Sequence, residues 1–460
     1  MPIKRLFVAN RGEIAVRILR TARELGIETV LGVSAADRET LGAEMADRAV
    51  ILGPAAAQKS YLDANLIVHA AIGTACDALH PGYGFLSEKP ELARLCESEG
   101  LAFVGPRPET IEALGDKLAA RAIAKAAGVA VVPGTDLILN IDEAKAAALE
   151  LGYPVVMKAS AGGGGRGMFK ADSEEEIDSG FERASLEAES AFGDKRLYME
   201  RFIKRARHVE VQIIGDGEGG VVHFGERDCT VQRRYQKLIE EAPATAVPND
   251  VRARLHAAAV QLTSHAKYRN AGTVEFLYDV DRADFYFIEV NSRIQVEHPV
   301  TEEITGHDLI ACQLRVAAGE GIGLTQDQVS ITGHAIECRI NAEDVFNNFM
   351  PAPARVTQWD PPTGEGVRLD SHVRQGYLVP PYYDSMIGKL IVKGATRDEA
   401  IARLIAAIAA FRIEGPKTTL PLAGFVVDTP DFRTNNFSTR WLEDVGLPAF
   451  LAAEDLARAC

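Results

Sequence analysis

The chain has 460 residues, of which 47% are hydrophobic and 25% are charged, as is typical of a globular protein with about two to four domains. A formal net charge of −15 argues against the basic surface that nucleic-acid binding requires. The sequence has no apolar run of about 18 residues and no signal sequence, and its six cysteines show no CxxC pairing. We therefore expect a cytoplasmic protein that binds neither nucleic acid nor membrane.

The N-terminal segment alternates short apolar strands with amphipathic helices. Residues 5–9 predict a strand, the following helix ends at Gly26, and residues 29–33 predict the next strand. The pattern continues to a strand at residues 78–80. Such β-α-β repeats predict a parallel sheet with helices on its faces.

A loop rich in proline and glycine, residues 80–88, follows the last of these strands. Ligands of open α/β sheets bind at the carboxyl ends of the strands, so we expect this loop to face a cleft. A tight turn would account for Gly82 and Gly84, but it would account for neither Tyr83 nor Glu88.

A glycine run follows a strand that ends in Lys158. Residues 153–158 predict the strand, and residues 162–167 lead into a second strand from Met168. Backbone N–H groups of such a run can surround phosphate oxygens. Its GxGxxG spacing does not indicate a dinucleotide fold, because a strand and not a helix follows. We interpret the segment as a hairpin flap that closes on a ligand, against the alternative of a floppy surface loop.

Several neighbouring elements carry polar residues that suit an anion or a nucleotide. A single helix over residues 109–127 carries Lys117, although an isolated helical lysine is usually solvated. Residues 197–203 predict a strand that can line an adenine slot. In the strand 208–214, His208 is equally well read as structural or functional. The strand 221–225 is followed by a densely charged segment, residues 226–243.

The most informative stretch is residues 285–297, which forms a predicted hairpin with residues 272–278. Strict alternation places one set of polar side chains on a single extended face: Glu289, Asn291, Arg293, Gln295 and Glu297. Folding the hairpin places Glu275 within about one residue of facing Glu289. A hard divalent cation such as Mg²⁺ would relieve the repulsion between these two carboxylates.

A solvated polar face is the competing interpretation of this alternation, and on pattern alone it is equally good. The composition favours chemistry, because acid, amide, base, amide and acid follow one another without lysine or threonine. Together with the flap, the stretch predicts nucleotide-dependent phosphoryl transfer, in which lysine, arginine and metal neutralise phosphate charge.

The C-terminal part mixes short strands with one helix. Residues 334–341 predict a strand with an apolar face opposite to Arg339. Residues 367–373 and 386–393 predict further strands, and residues 397–411 predict the helix. We expect the alanine-rich tail, residues 447–460, to fray.

Over nearly its whole length the sequence resembles the biotin carboxylase family of the ATP-grasp superfamily. The specific motifs are HPGYGFLSE at 80–88, the glycine run to Met168, QRR at 232–234, EVNSRIQVEHPVTE at 289–302 and PPYYDSM at 380–386. The resemblance implies a multidomain α/β and α+β protein. Its parts would be a Rossmann-like domain (1–114), an ATP-grasp domain (115–330) with a mobile glycine-rich lid at about 131–203, a C-terminal biotin carboxylase domain (331–446) and a tail (447–460).

The resemblance also implies a reaction, the ATP-dependent carboxylation of biotin on a carrier protein with bicarbonate. It implies an ATP site formed by Lys117, Lys158, Gly164, Gly165, Gly167, Glu200, Arg201, Ile203, His208, Gln232, Tyr235, Leu277, Glu275 and Glu289. The metal ion, Mg²⁺ or Mn²⁺, would be held by Glu275, Glu289 and Asn291. Bicarbonate would lie on Arg293, Gln295 and Val296. The groups implied in catalysis and in biotin binding are Glu297 as the base, Arg293, Lys237 beside the phosphates, and Tyr83 and Arg339 at biotin.

Two residues depart from the usual pattern of that family. Tyr235 stands where histidine is common beside the ribose, and Ser292 replaces a threonine. The chain has no Met-Lys-Met biotin-attachment motif and no carboxyltransferase-length region. The resemblance therefore implies a separate subunit that works with a biotin carboxyl carrier protein and a carboxyltransferase. It further implies a homodimer, whose contact surface we expect in the C-terminal region.

Two alternatives stay open at this point. Another ATP-grasp ligase would use the same flap and carboxylate pair with a different acceptor, although residues 293–301 and Arg339 favour biotin. A degenerate nucleotide-binding or scaffolding subunit would lack charged residues at its centre, and here all are present. The final carboxyl acceptor is not determined by this chain, and we expect acetyl-CoA or another acyl-CoA ahead of pyruvate.

Overall fold

Three sheets with their helices position the candidate site in the computed structural model, which describes residues 2–160 and 167–459. One sheet is parallel, one is a small antiparallel sheet, and one is a large antiparallel sheet. The predicted fold class, a multidomain α/β and α+β architecture, is confirmed. Within the described residues, no helix is both long and apolar enough to span a bilayer.

The N-terminal region is a five-stranded parallel sheet, as the β-α-β pattern predicts. Its strands lie in the order β3-β2-β1-β4-β5, with helices packed around them. The elements are β1 (Arg5–Val8), α1 (Gly12–Glu24), β2 (Glu28–Ser34), α2 (Leu41–Met45), β3 (Arg48–Gly53), α3 (Ala64–Gly73), β4 (Ala78–His80), α4 (Pro90–Ser98) and β5 (Ala102–Phe103).

The single helix predicted over residues 109–127 is wrong, because two helices occupy this segment. They are α5 (Pro108–Gly115) and α6 (Lys117–Ala126), separated by Asp116 in an extended conformation with ψ of 120°. The Asp116 carboxylate accepts the backbone N–H groups of Leu118 at 3.0 Å and Ala119 at 2.9 Å. An aspartate in this N-cap position satisfies helix donors that otherwise lack partners. The break makes Lys117 the first residue of α6.

A small antiparallel sheet, here called the lid sheet, follows with the strand order β6-β9-β7-β8. Its elements are β6 (Gly134–Ile138), α7 (Ile141–Leu151), β7 (Val155–Ala159), β8 (Met168–Ala171), α8 (Glu174–Phe192) and β9 (Leu197–Arg201). Strands β7 and β8 form the predicted hairpin, with Lys158 opposite Met168. Gly164, Gly165 and the rest of the segment 161–166 lie outside the described residues.

The large antiparallel sheet has eight strands in the order β14-β13-β10-β11-β12-β15-β20-β19. It is continuous across residue 330, because β15 (His334–Asn341) from the C-terminal region pairs directly with β12. The strands and helices of this part of the chain, in order, are β10 (Ala206–Asp216), β11 (Val221–Arg233), β12 (Gln236–Ala242), α9 (Asn249–His265), β13 (Arg269–Asp279), β14 (Asp284–Asn291), α10 (His298–Thr305) and α11 (Leu309–Ala317).

Strand β11 is longer than the sequence predicts. A strand was expected only over residues 221–225, yet pairing continues to Arg233. Two charged residues in this extension are buried and paired with the neighbouring strand β10, Arg227 with Glu210 at 2.6 Å and Asp228 with Arg207 at 2.8 Å. Charge within a strand is compatible with burial when each group finds a partner, and local sequence alone does not reveal those partners.

The hairpin of β13 and β14 has the predicted register, with Glu275 directly opposite Glu289. The prediction of one extended face through Glu297 is wrong, because β14 ends at Asn291. Residues 292–297, here called the 292–297 loop, leave the sheet, and Glu297 becomes the N-cap of α10. The alternation therefore continues in the sequence beyond the point where the strand ends.

The remaining elements form the C-terminal region. They are β15 (His334–Asn341), β16 (Glu343–Asp344), β17 (Met350–Pro351), β18 (Gln358–Asp360), β19 (Val367–Ser371), β20 (Met386–Gly394), α12 (Arg397–Ala410), β21 (Arg412–Glu414), α13 (Leu420–Asp428), α14 (Pro430–Arg433) and α15 (Leu447–Ala459). The expectation of a fraying tail is wrong, because residues 447–459 form a helix. Phe450 anchors it, buried with its ring 5.7 Å from that of Phe346 and 5.5 Å from that of Phe425.

Candidate active site

Strands of the large sheet and the 292–297 loop bring a set of charged side chains together in a buried position. We call this set the central cluster, and it consists of Glu210, Arg227, Lys237, Glu240, Glu275, Glu297 and Arg339. The contributing strands lie side by side in the sheet, so residues far apart in sequence become neighbours.

Lys237, on β12, lies at the middle of the cluster with 10% of its side chain exposed. Its Nζ donates to Glu297 Oε1 at 2.5 Å, Glu210 Oε2 at 2.6 Å and Glu275 Oε1 at 3.1 Å. Burial alone would lower the pKa of Lys237, but the surrounding carboxylates raise it above its ordinary value. The ammonium group therefore stays charged and holds three carboxylates close together.

Glu297 is fully buried and shared by two cations. It accepts from Lys237 and, through Oε2, from Arg339 Nη2 at 3.0 Å. Burial acts to raise the pKa of Glu297, but Lys237, Arg339 and Arg227 lower it well below the ordinary range. The carboxylate is therefore ionised at neutral pH, and its basicity depends on whether its cationic partners stay in contact with it.

Arg339 reaches the cluster from β15 and is oriented by a second buried carboxylate. Its Nε donates to Glu240 Oε1 on β12 at 2.6 Å. Burial raises the pKa of Glu240 to about 7, although Arg339 acts to lower it. The sequence predicts the face of β15 that carries Arg339, but it gives no indication of Glu240.

Arg227 and Glu210 pair with each other within the central cluster, and both side chains are fully buried. The guanidinium of Arg227 donates to Glu210 at 2.6 Å, Gln212 at 2.8 Å and Thr301 at 3.0 Å. Sequence analysis did not single out Arg227. Its place in a charged segment that continues the alternation of β11 is the signal that could have identified it.

The 292–297 loop carries Arg293, which joins the N-terminal region to the cluster. Its guanidinium donates to Gln295 Oε1 at 2.8 Å and Asn291 Oδ1 at 3.2 Å, and its Nε lies 3.1 Å from Glu88 Oε2. Glu88 belongs to the segment 80–88, so that loop does face the same cleft. Arg293, Gln295 and Glu297 come together through the bend of the loop and not through an extended strand.

The three residues expected to hold a metal ion lie side by side at the end of the β13–β14 hairpin. Asn291 Nδ2 donates to Glu275 Oε1 at 2.9 Å. Glu275 also lies 2.9 Å from His208 Nε2, and Glu289 lies 3.4 Å from Lys117 Nζ. Burial acts to raise the pKa of Glu275, but Lys237 and His208 lower it strongly. Both carboxylates are therefore balanced by cationic or polar partners.

Among the described residues, two sets of potential metal-ligand atoms lie within 4.8 Å of one another. One consists of His208, Glu210 and Glu275, and the other of Glu210, Cys229 and Glu297. Both sets surround Lys237, whose ammonium group already neutralises the carboxylates. Of the three predicted oxygen ligands, Glu275 and Asn291 are buried and Glu289 is partly exposed. Their carboxylate and amide oxygens suit Mg²⁺ better than a set that contains a thiol.

The lid sheet contributes a second group of charged residues. Lys158 Nζ lies 2.5 Å from Glu200 Oε2, and Arg121 donates to the other oxygen of the same carboxylate. The backbone N–H of Lys117 donates to the carbonyl of Ser160 at 3.3 Å, which ties the start of α6 to the end of β7.

The residues expected to line an adenine slot form a small apolar cluster beside these charges. Ile203 packs with Val132 and Ala206, and Leu277 and Tyr286 pack against them. Arg201 extends to the same place, with Nη2 3.3 Å from the Tyr286 hydroxyl. The structure thus brings the apolar residues and Arg201 together at the edge of the lid sheet.

Three further predicted residues have well-defined surroundings in other parts of the structure. Gln232 is buried and lies opposite Lys237 in the β11–β12 register. Gly167 precedes β8 with φ of 66°, and a Cβ atom there would come within 3.0 Å of the Ala159 side chain. Tyr83 points its hydroxyl at Glu13 of α1 and donates a hydrogen bond to it.

Tyr235 is the predicted residue that lies apart from the buried groups. It stands in the turn between β11 and β12 with 55% of its surface exposed. Arg234 and Tyr235 both have positive φ, 47° and 65°, an uncommon conformation for residues other than glycine. The turn directs Tyr235 outward and leaves Gln232 and Lys237 facing inward.

The lid sheet above a buried lysine–carboxylate cluster defines the class of the protein as an ATP-grasp ligase. Residues 116–325 match the family model of the carbamoyl-phosphate synthase L chain, ATP binding domain. Residues 2–111 match the biotin carboxylase N-terminal domain, and residues 337–444 match the biotin carboxylase C-terminal domain. The chain belongs to the biotin carboxylase family.

Individual relatives agree with this placement. Biotin carboxylase 1 of Bacillus subtilis is 50% identical over 96% of this chain and 98% of its own length. A pyruvate carboxylase subunit from Methanothermobacter thermautotrophicus is 47% identical over 96% of this chain and 89% of its own length. The biotin carboxylase domain dimer of the Hydrogenobacter thermophilus 2-oxoglutarate carboxylase, solved with MgADP, ADP and bicarbonate, superposes with a TM-score of 0.93. It is 44% identical and covers 96% of this chain and 98% of that one.

Proposed function

We propose that the chain catalyses the ATP- and bicarbonate-dependent carboxylation of biotin on a separate carrier protein, through carboxyphosphate. The observation that carries the proposal is the buried carboxylate of Glu297, held between Lys237 and Arg339 at the end of the 292–297 loop. A carboxylate and cationic groups in one cavity can bind a small anion and remove its proton.

Bicarbonate binding is assigned to the 292–297 loop. Arg293 supplies the positive charge, Gln295 supplies an amide, and the backbone N–H of Val296 supplies a further donor. Glu297 is the next residue along the chain, so a bicarbonate bound to the loop would lie beside this base. Removal of its proton converts bicarbonate into a dianion, which is a stronger nucleophile toward phosphorus.

Nucleotide binding is assigned to both sides of the cleft. The residues proposed to contact ATP are Lys117, Lys158, Gly164, Gly165, Gly167, Glu200, Arg201, Ile203, His208, Gln232, Tyr235 and Leu277. The triphosphate would compete with Glu297 for Lys237. Loss of that contact would raise the pKa of Glu297 and make it a more effective base. The apolar cluster with Ile203 and Leu277 suits the adenine ring.

The metal site is assigned to Glu275, Glu289 and Asn291, which would hold Mg²⁺ or Mn²⁺. The fit rests on donor chemistry, because carboxylate and amide oxygens are the ligands that these hard cations prefer. A bound cation supplies neutralisation of the phosphate charge during transfer. Asn291 already bonds to Glu275, so two of the three residues are held in contact by the protein itself.

The chemistry then balances as two transfers. An oxygen of the deprotonated bicarbonate attacks the γ-phosphorus, and ADP leaves with the electrons of the broken P–O bond. Carboxyphosphate breaks its C–O bond to give CO₂ and phosphate, which accepts the ureido N–H proton of biotin. The resulting biotin nitrogen attacks CO₂. The guanidinium of Arg339 would stabilise the enolate oxygen, and Tyr83 would border the biotin site.

The proposed partners are a biotin carboxyl carrier protein, a carboxyltransferase and a second copy of this chain. The Hydrogenobacter relative is described as a dimer with bicarbonate, which supports both the homodimer and the substrate. We infer an acyl-CoA as the final acceptor. The relatives whose names specify an acceptor are pyruvate and 2-oxoglutarate systems, so co-purification of the native transferase and assay of its substrate test this inference.

Steady-state ATP hydrolysis tests the proposed function. The expected result is hydrolysis that requires bicarbonate, increases with free biotin, and fixes labelled bicarbonate into carboxybiotin. Hydrolysis indifferent to bicarbonate and biotin would instead indicate another ATP-grasp ligase with a different acceptor.

A further inference from the structure

A buried lysine outside the proposed chemistry connects three parts of the chain. Lys389 lies on β20 in the C-terminal region, and its side chain is 0% exposed. Its Nζ donates to the carbonyl oxygen of Val296 at 2.7 Å and lies 3.2 Å from Glu13 Oε1 on α1. The ammonium group of Lys389 thus contacts both α1 and the 292–297 loop.

The loop has left the sheet, and side chains bind three of its backbone carbonyls. The carbonyl of Ile294 accepts from Arg293 at 3.2 Å, and the carbonyl of Gln295 lies 2.7 Å from His298 Nδ1. The carbonyl of Val296 accepts from Lys389. Buried backbone acceptors need partners, so these three contacts help to fix the shape of the loop. Of the three side chains, only that of Lys389 belongs to a residue outside 292–298, while the Ser292 N–H at the other end of the loop donates to Glu88 at 3.3 Å.

The contact made by Lys389 lies at the end of the loop next to Glu297, the proposed base. The Val296 carbonyl belongs to the peptide unit that joins Val296 to Glu297. Fixing this peptide sets the distance between the proposed bicarbonate donor, the Val296 N–H, and the proposed base. A misplacement of about 1 Å at a reacting centre can reduce the rate about 10²-fold.

Glu13 extends the connection toward the segment 80–88. It accepts the hydroxyl hydrogen of Tyr83 and pairs with Lys389. Burial alone would lower the pKa of Lys389, but Glu13, Glu337 and Asp370 raise it above its ordinary value. The ammonium group therefore remains charged while it holds the Val296 carbonyl.

We propose that Lys389, fixed by Glu13, is a positioning residue that sets the geometry of the 292–297 loop for bicarbonate. This inference rests on the proposed function, because it assigns Lys389 to bicarbonate use and not to nucleotide binding. Through Glu13 it also links the Tyr83 side of the site to the bicarbonate side.

The test compares the double variant Glu13→Gln/Lys389→Met with Glu13→Gln alone in the full chain. Replacing both members of the pair removes the charge of Lys389 without leaving Glu13 as an unpaired buried carboxylate. The double variant is expected to raise the KM for bicarbonate about 10-fold or more, with the KM for ATP changed less than about twofold. Glu13→Gln alone retains Lys389 and a side-chain oxygen at position 13 that can still accept from its ammonium group, so it is expected to change the bicarbonate KM far less.

Lys393→Met is the matched control. Lys393 lies four positions along the same strand, β20, and its Nζ donates to the carbonyl of Glu303 at 2.5 Å, outside the loop. This control loses the same kind of lysine–carbonyl bond, so it is expected to keep the wild-type bicarbonate KM. If methionine at 389 prevents folding, Lys389→Gln with Glu13→Gln provides a polar but shorter side chain, with the same kinetic expectation.

The outcomes separate the two proposals. Wild-type protein that does not couple ATP hydrolysis to bicarbonate would overturn the proposed function. Active wild-type protein, together with a double variant that melts normally and keeps the wild-type bicarbonate KM and kcat, would overturn the positioning role alone. Equal bicarbonate defects in Lys393→Met and the double variant would do the same, because the effect would then be one of general packing.

Discussion

The central cluster and the lid sheet differ in what holds them together. The cluster is built from buried ion pairs, with Lys237 contacting three carboxylates and Glu297 shared between two cations. The lid sheet has its own apolar core, in which Val155, Met157 and Met199 are fully buried. Its outer surface exposes several leucines, Leu139, Leu149 and Leu186.

Because of this difference, we expect the two regions to have different roles in the reaction. Ion pairs in the cluster can exchange partners when phosphate or bicarbonate enters, so this region can change its basicity during the reaction. Apolar packing holds the lid sheet as one unit that presents Lys158 and Glu200 to the cleft. Substitutions in the cluster should therefore affect turnover, and substitutions in the lid sheet should affect nucleotide affinity.

The largest effect is expected for Glu297→Gln, which keeps the shape of the side chain and removes the base. Loss of a general base typically costs ~10²–10⁴ in rate, so we expect bicarbonate-dependent ATP hydrolysis to fall by about this factor. Glu303→Gln is the control, since Glu303 pairs with Arg368 at 3.2 Å away from the cluster. Retention of about a tenth or more of the activity in Glu297→Gln would place the base elsewhere.

Arg339→Ala is expected to separate the two halves of the reaction. Removing one charge stabiliser costs ~10²–10³, so carboxylation of biotin should fall by that factor while nucleotide affinity stays largely intact. Biotin carboxylation and equilibrium ATP binding are the two measurements. A parallel loss of ATP binding would show that Arg339 supports the nucleotide site, and the proposed contact with biotin would fail.

A smaller effect is expected from the lid sheet, where Glu200 holds both Lys158 and Arg121. Glu200→Gln loses the charge that pairs with these two cations. We expect the KM for ATP to rise about 10-fold, with kcat changed less, because a contact made equally in the ground and transition states alters affinity alone. Leu149→Ser, at an exposed position of helix α7 beside the same sheet, should leave both parameters unchanged. A kcat defect without a KM change in Glu200→Gln would contradict the division between the regions.

The smallest effect is expected outside both regions, at His223, whose ring lies 4.2 Å from that of His256. Burial, followed by the charge of His256, lowers the pKa of His223 to about 4. The unfolded chain takes up a proton near pH 6.5 and the folded chain does not, so this histidine reduces stability as the pH falls from 6.5 toward 4. Between pH 7 and pH 5, the melting temperature of the wild type should therefore fall more than that of His223→Gln. The expected difference is about 1–2 °C per pH unit. Parallel melting curves for the two proteins would contradict this.

Sequence patterns predicted much of the regular secondary structure correctly. Apolar periodicity located the parallel sheet, the lid hairpin and the β13–β14 register, because these features depend on local alternation and turns. The face of β15 that carries Arg339 followed from the same rule. The roles of individual residues in ATP, metal, bicarbonate and biotin binding stay predictions.

The errors arose where tertiary contacts override the local pattern. The 292–297 loop continues the alternation of β14, but partners from α10 and β20 bind its carbonyls in place of a neighbouring strand. The helix break at Asp116 depends on one capping side chain. Lys389 stands in an apolar strand without a local signal, because its partners come from α1 and from the loop.

Oxygen-isotope transfer tests the central claim most directly, namely that the 292–297 loop and Glu297 activate bicarbonate for attack on the γ-phosphate of ATP. The enzyme would turn over with ¹⁸O-labelled bicarbonate, ATP and biotin, and the product phosphate would be analysed by mass. The account predicts one labelled oxygen in each phosphate released in the biotin-dependent reaction. Phosphate that carries oxygen from water alone would contradict it, because bicarbonate would then not be the nucleophile.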